Sequence, residues 1–328
     1  MADDKQNADE RLLAALAERF AADVEASSLA LPADYPLPQA TVEAIYRELE
    51  AAGKHTDLPV AFLGSEGTFT HQATLLKFGH AADMAGHATI ADVFAEVETG
   101  RAKYGVVPVE NSTEGAVQDT CDVFPDSNLL ITDEILLPIH HHLLANCPQK
   151  EIEVIYSHPQ VFGQCRQWLQ EHLPDCRLVE TGNTTAAAQR AAQEPKAAAM
   201  ASEIAAERAG LPILARNVED LAGNVTRFYV LGREIPPPTG NDKTSLVLAI
   251  NDKVGALYEA IYPFRESGIN LSLIHSRPSR RRRWDYFFFI DFLGHIDDPG
   301  VREVLAEIEK HCTFVRHLGS YPRCTLQD

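Results

Sequence analysis

Short apolar runs, each of strand length, recur through the middle of this chain with alanine-rich stretches of helical period between them. They are VAFLG (60–64), KYGVVPV (103–109), EVIYS (153–157), AAAMA (197–201) and FYVLG (228–232). A strand buries its residues at period two and a helix at period 3.6, so this alternation predicts an α/β architecture with mainly parallel sheets. At roughly 150 residues per domain, the 328 residues leave room for two domains and a short extra segment. Three prolines followed by Gly, Asn and Asp (IPPPTGND, 235–242) predict a linker. Beyond it, TSLVLAI (244–250), a helix face of Val254, Leu257, Ile261 and Phe264, NLSLIHS (270–276), WDYFFFIDF (284–292), a second helix with Val301, Leu305 and Ile308, and TFVRHLG (313–319) give the order βαββαβ. That order in about 80 residues predicts a ferredoxin-like module. The expected divisions are a helical appendage at 1–57, a catalytic region at 58–234, the linker, and a last domain at 243–322.

The appendage carries Leu12, Leu13, Leu16 and Phe20 at helical spacing, then Val42, Ile45, Tyr46 and Leu49, with a spacer broken by Pro32, Pro36 and Pro38. It is too short to build a core alone and has to pack on something else. The formal charge of −18 argues against a nucleic-acid partner. No apolar run approaches the roughly 20 residues that span a bilayer, and the first twenty residues lack the pattern of a secretory signal. Six widely spaced cysteines without a C-x-x-C pair read as reduced thiols, which points to the cytoplasm.

Five segments could carry chemistry. GSEGTFTHQA (64–73) runs from a strand into a helix, and its glycines and Thr68 make either an anion site at the helix N-terminus or a plain turn with a threonine cap. VPVENSTEG (107–115) ends a buried strand in Glu110, Asn111 and Ser112, a place where α/β folds bind ligands or where a helix is capped. SHPQVFGQC (157–165) offers Ser157, His158 and Gln164, but adjacent Ser and His rarely form a triad and no G-x-S-x-G elbow occurs. Thr184 and Thr185 open an alanine-rich helix. NVTRFYVLG (224–232) places Thr226, Arg227 and Phe228 at the start of a strand, suited to an anionic, ring-shaped ligand or simply to a sheet. His140 and His142 would share one face of a strand, yet a zinc site needs a third ligand and no second cluster is visible, so no metal is expected. Arg277 and Arg280, Arg281, Arg282 and Arg283 fall at a turn between two strands and read as a solvated hairpin.

In this order the motifs resemble prephenate dehydratases that carry a C-terminal ACT regulatory domain, over residues 59 to about 322. GALYEAIYPF (255–264) and INLSLIHSRP (269–278) carry the likeness in the last domain. The resemblance implies a two-lobed catalytic region similar to periplasmic binding proteins, no cofactor and no metal. It implies that prephenate loses carbon dioxide and hydroxide to become phenylpyruvate, with L-phenylalanine as feedback effector and a homodimer or homotetramer as the assembly. Thr226 matches the catalytic threonine. Glu110, Asn111, Ser157 and Gln164 match cleft residues implicated in substrate binding. Thr68, Ser112 and Thr184 match motif positions at the cleft, Arg227 shares the Thr-Arg-Phe motif, and Phe228 would line the ring pocket. Gly255, Ala256, Leu257 and Asn270 match the effector region, with His275, Ser276 and Arg277 beside it. Where the family usually reads Glu-Ser-Arg-Pro, this chain has His275, which titrates near neutrality; Ser65 stands where proline is frequent. The appendage resembles a truncated chorismate mutase without its long middle helix, a relic or docking helix. Competing readings are an arogenate dehydratase, acting on the amino-acid form, and a non-catalytic cytosolic amino-acid sensor.

Overall fold

The computed structural model describes residues 58–278 and 286–326, together with Ala15, Thr41, Val42, Ile45 and Glu48. The run from Leu12 to Phe20, the proline-broken spacer and the arginines at 280–283 otherwise lie outside the described residues. Two compact units make up the chain, one of residues 1–57 with Thr74–Asp83, the other of Leu58–Ala73 with Met84–Asp328. In the first, Val42 is buried in a helix and Glu48 Oε2 accepts the His80 backbone N–H at 2.9 Å.

From residue 58 the chain runs β1 (Val60–Leu63), α1 (Phe69–Phe78, whose second half belongs to the first unit), β2 (Met84–His87), α2 (Ile90–Glu98) and β3 (Tyr104–Asn111). There follow β4 (Gly115–Ala116), α3 (Gln118–Val123) and β5 (Leu130–Pro138). The chain then crosses at 139–141 into a second lobe. That lobe contains β6 (His142–Ala145), β7 (Val154–Ser157), α4 (Pro159–Gln164), α5 (Arg166–His172), β8 (Arg177–Glu180), α6 (Thr184–Gln193), β9 (Ala197–Ala201), α7 (Glu203–Ala209) and β10 (Ile213–Ala215). It returns through 216–224 as β11 (Val225–Gly232), which enters the first sheet. The two sheets have the orders β2-β1-β3-β11-β5 and β10-β6-β9-β7-β8.

The pairing is mixed, not mainly parallel as the alternation suggests. β1, β2 and β3 are parallel, but β11 runs antiparallel to both β3 and β5, and β6 antiparallel to β9. The physical reason is the double crossing: a strand returning from the other lobe enters from the opposite end. Helix α2 shows how tightly the layers meet. Thr89 caps it by accepting the Asp92 N–H, and Ile90, Val93, Phe94 and Val97 form its buried stripe. It lies close on β3 because Gly105 has no side chain; a Cβ there would sit 2.9 Å from Val93.

The last domain contains β12 (Asp242–Ile250), α8 (Ala256–Glu266), β13 (Leu271–Pro278), β14 (Tyr286–Leu293), α9 (Pro299–Ile308) and β15 (Cys312–Pro322). Its antiparallel sheet of order β13-β14-β12-β15 is the expected βαββαβ topology. Val254 departs from expectation: it is fully exposed, ahead of α8, whose buried residues are Ala256, Ala260, Pro263 and Phe264. Gly255, in the left-handed region, ends the turn that precedes the helix.

One face of this sheet carries the helices. The other shares a core with the first lobe, where Val247, Phe289, Leu318 and Tyr321 join Phe124 and Tyr229. The linker is pinned at its end, since Asp242 accepts the N–H groups of Thr239 and Gly240. Gly319 brings β15 against β5 so closely that a Cβ would lie 2.1 Å from Ile131 O. Gly319→Ala should therefore cost about 1–3 kcal/mol by forced separation of the two sheets. A urea denaturation curve would show it, and an unchanged midpoint would refute the close contact.

Candidate functional site

Asn111 ends β3 and pairs with Thr226 at the start of β11, so the two strands deliver both side chains to one spot at the lobe junction. The orientation of the Asn111 amide follows from its neighbours. The backbone N–H groups of Thr113 and Glu114 can only donate, and they reach Asn111 Oδ1 at 3.0 and 3.2 Å. Thr113 Oγ1 adds a third donor at 2.6 Å. Nδ2 must then face the other way, donating to Asn224 Oδ1 at 2.7 Å and to Thr226 Oγ1 at 2.9 Å. Thr226 is thereby fixed as an acceptor from Asn111, and its own proton has no acceptor among the described residues. A half-buried hydroxyl in that state is a donor aimed at whatever occupies the junction.

Two further contacts join the lobes. Glu114 Oε1 accepts from Gln164 Nε2 at 3.0 Å, which turns Gln164 Oε1 toward His141 Nε2 at 2.8 Å. His141 must then carry its proton on Nε2. Burial pulls its pKa down, so the ring is neutral and Nδ1 is a buried acceptor with no partner. On the other side, the turn 64–67 lies against the start of α6: a Cβ on Gly67 would sit 3.0 Å from Thr185 Oγ1. That hydroxyl is also buried and unpartnered. Glu66 pairs with Arg208, and Ser202 Oγ reaches Gly67 O at 3.4 Å.

The remaining expected residues divide by location. Thr68 caps α1, its hydroxyl donating to Ser65 O and accepting the His71 N–H. Ser112 accepts the Val225 N–H at 3.0 Å and so braces the return of the chain into β11. Thr184 opens α6, whose cap is Asn183, through the Ala186 N–H. Ser157 is fully buried and donates to Met200 O at 2.7 Å, which ties β7 to β9 and leaves it off the cleft. Cys165 is buried, and burial pushes its thiol pKa up, as suits an inert core residue. Phe228 is fully buried within the sheet and does not line an open pocket.

Glu110 and Arg227 differ from expectation together. They pair with each other across β3 and β11 and project from the face opposite Asn111 and Thr226. Glu110 Oε2 is 3.9 Å from Arg227 Nη1, on the side of the last domain. Adjacent residues of a strand face opposite ways, so Glu110 and Arg227 both lie on the side of the last domain and not at the Asn111–Thr226 junction. The histidines are likewise separate. His140 meets Glu219 at 2.7 Å, His141 meets Gln164, and His142 accepts the Asn217 N–H at 3.1 Å. Only His142 lies in a strand, and among the described residues no group of three or more His, Cys, Asp or Glu could hold a metal.

In the last domain, Gly255, Ala256 and Leu257 lie at one end of α8 and Asn270 beyond the other, about 16 Å apart for an eleven-residue helix. One chain alone does not bring them together. His275 and Arg277 face the first lobe, and Ser276 the opposite side. Arg277 grips Asp122 through both carboxylate oxygens at 2.9 and 3.0 Å and is thus no part of a solvated hairpin.

Sequence reasoning passed over Asn224, though it stands inside the NVTRF motif, and over His141 as the partner of Gln164. It also left Glu114 without a role. The amide orientation gives a test. Asn111→Asp would replace the donor facing Thr226 by an acceptor that captures its proton. Turnover of the cleft's substrate should fall about 10²-fold or more, the scale of one lost general-acid contribution, with the melting temperature little changed. Steady-state kinetics beside a thermal melt would decide it.

Residues 60–236 match the family model of prephenate dehydratase, and residues 244–310 that of the ACT domain. The bifunctional chorismate mutase/prephenate dehydratase of Aquifex aeolicus is 45% identical over 294 residues, 89% of this chain and 81% of that protein. The prephenate dehydratase of Amycolatopsis methanolica is 37% identical over 268 residues, 80% of this chain and 88% of that one. Among solved structures, a prephenate dehydratase in complex with L-Phe from Arthrobacter aurescens superposes with a TM-score of 0.75 at 35% identity, covering 81% of this chain and 90% of that chain. A chain described as a novel type of quorum-quenching acylase gives a TM-score of 0.74 at 30% identity, over 81% and 98%. With its catalytic segments, its βαββαβ module and these relatives in agreement, the chain belongs to the prephenate dehydratase family.

Proposed function

We propose that the chain converts prephenate to phenylpyruvate, with Thr226 as the proton donor. The observation that carries this is the Asn111 amide, which makes Thr226 an acceptor and leaves its proton free for a departing hydroxide. Loss of carbon dioxide and hydroxide together creates an aromatic ring, so the driving force lies in the substrate. What the protein supplies is a held carboxylate and a hydrogen-bond donor for the leaving group. Threonine is a weak acid, so the transfer is concerted with bond breaking. As negative charge grows on Thr226 Oγ1, the Asn111 N–H already in place stabilises it.

The carboxylate is assigned to the start of α6, where Thr184 and the unpartnered Thr185 hydroxyl lie near the first unpaired N–H groups of the helix. Such local dipoles bind an anion in spite of the overall charge of −18. Thr68 stands at the start of α1 on the facing wall, and Gln164 with Glu114 closes the junction over the substrate. An acylase reaction would need an exposed nucleophile beside a base. Ser157, next to His158, is fully buried and bonded to Met200 O, so it cannot serve.

L-phenylalanine is assigned to the ACT domain as feedback effector, on the likeness to the L-Phe complex. Because Gly255 and Asn270 lie at opposite ends of α8, a second copy related by a two-fold axis would bring one end of each helix to the other end of its partner. Strand β13 is an edge of its sheet and carries exposed Ile274, while Tyr258 and Tyr262 are exposed on α8. The assembly is thus read as a dimer, or a tetramer built from dimers. Cytoplasmic placement rests on the biosynthetic role, and among the described residues no helix is long and apolar enough to cross a membrane. The bifunctional relative matches 89% of this chain and the single-function one 80%, which supports reading the appendage as a remnant of a chorismate mutase.

Purified protein incubated with prephenate and, in parallel, with arogenate should form phenylpyruvate from the first; absence of product from either would leave a sensor. Thr226→Ala should keep prephenate binding by calorimetry and lose about 10²- to 10⁴-fold in kcat. Ile274→Asp, at the exposed edge, should shift the protein to monomer in sedimentation and abolish inhibition by L-phenylalanine. A fully inhibited monomer would end the two-copy site.

A further inference from the structure

Beside Thr226 on β11, and on the far side of the sheet, Arg227 sits in a closed ring of hydrogen bonds that passes through the regulatory sheet. Its Nη1 donates to Asp291 Oδ2 of β14 at 2.6 Å, and its Nη2 to the Tyr321 hydroxyl of β15 at 3.0 Å. Because Tyr321 accepts from Arg227, its own proton goes to Ser245 Oγ of β12 at 2.6 Å. Ser245 in turn donates to Asp291 Oδ1 at 2.6 Å and closes the ring. The third arm, Nε, donates to Glu134 of β5 at 2.6 Å, and Glu134 is held also by Lys243 at 2.9 Å and by the Cys324 N–H at 3.0 Å. Glu134, Arg227, Ser245, Asp291 and Tyr321 are all buried.

We propose that Arg227 is a positioning residue, which ties the strand bearing Thr226 to three strands of the regulatory sheet so that movement of that sheet is delivered to the catalytic hydroxyl. The inference rests on the dehydratase reading above and deepens it by naming the route of regulation. Arg227 and Lys243 face Asp291 and Glu134 inside the ring and its arm, with the partly exposed Glu110 3.9 Å from Arg227. Parting any of them would leave a charge buried and alone, which is strongly unfavourable. The guanidinium therefore follows Asp291 and Tyr321 when they shift. Its backbone is one peptide from Thr226, whose oxygen sits 2.9 Å from Asn111 on the first-lobe side. A displacement of a few tenths of an ångström at Arg227 changes that distance and the aim of the proton. Lysine could not replace arginine here, since one ammonium cannot span Glu134, Asp291 and Tyr321 in a planar fork.

The test uses the full chain and breaks the ring from the regulatory side. Tyr321→Phe and Ser245→Ala each remove one link without touching the cleft. Both should lower kcat roughly two- to thirty-fold, leave KM within about two-fold because the substrate contacts persist, and weaken inhibition by L-phenylalanine by a similar factor. Arg227→Lys should do the same more strongly. Backbone amides of β11 should exchange faster in all three variants, with those of β7 in the other lobe unchanged. A rise in KM for Arg227→Lys at constant kcat would place the guanidinium on the substrate and overturn the proposal. So would unaltered kcat, inhibition and exchange, or exchange accelerated evenly through the chain, which marks mere destabilisation. Should the unmodified protein convert no prephenate, the dehydratase reading fails by itself, and the β11 exchange rates still decide whether the ring controls that strand.

Discussion

Neighbouring side chains on an extended strand face opposite ways, and β11 uses that rule to give two consecutive residues to two different domains. Thr226 faces the lobe junction, where Asn111 holds its oxygen; Arg227 faces the regulatory sheet, where Asp291 and Tyr321 hold its guanidinium. The strand can do this because it is central. It runs between β3 and β5, so its backbone is bonded on both sides and neither side chain can move far without the other. The proposed proton donor and the proposed positioning residue therefore lie across a single peptide unit.

The cost of such a device is a group of charges removed from water. Buried ion pairs rarely add net stability over an apolar filling of the same volume, since desolvation cancels most of the attraction. Their value is geometric: a charged ring with every donor and acceptor matched has one arrangement, and alternatives leave something unpaired. Apolar packing around it supplies the cohesion. Phe124 meets Phe94 and Tyr229 edge-on, and Val247, Phe289 and Leu318 of the regulatory sheet enter the same core. The lobe and the regulatory sheet thus share one interior, although a proline-rich segment separates them in sequence. That segment cannot act as a loose tether, since His295 holds Pro236 O at one end and Asp242 ties down the other.

Much of this was legible in the residues. The five apolar runs all became strands, and the βαββαβ order held through the last domain. The strands that escaped notice lack a clean apolar signature. β8 reads RLVE and is mostly exposed; β2 reads MAGH; β5 carries Asp133 and Glu134 where an inward strand should be apolar. Glu134 is tolerated because Arg227 and Lys243 neutralise it, a long-range pairing that local pattern cannot reveal. Of the motif residues, the structure brings Asn111 to Thr226 and Gln164 to Glu114. Listing Glu110 with Asn111, and Arg227 with Thr226, overlooked the alternation of faces, which motif spacing does contain. Val254 failed for a different reason: apolar spacing extended the helix past Gly255, whose left-handed backbone stops it.

The same alternation explains where His275 falls. β13 directs Leu273, His275 and Arg277 toward the first lobe and Ser272, Ile274 and Ser276 away from it. His275 lines a small cavity with Glu110 and Asp291 at the boundary between the domains. Burial pulls its pKa down toward the neutral form, so the imidazole adds no fixed charge beside Arg277. The ion pair from Arg277 to Asp122 then tethers the outer edge of the regulatory sheet, partly open to solvent, while the Arg227 ring tethers its centre, sealed from it. Water can compete for the outer pair and not for the inner one. The sheet is consequently held most firmly against β11, the strand that carries Thr226, and less firmly at the edge assigned to the second copy.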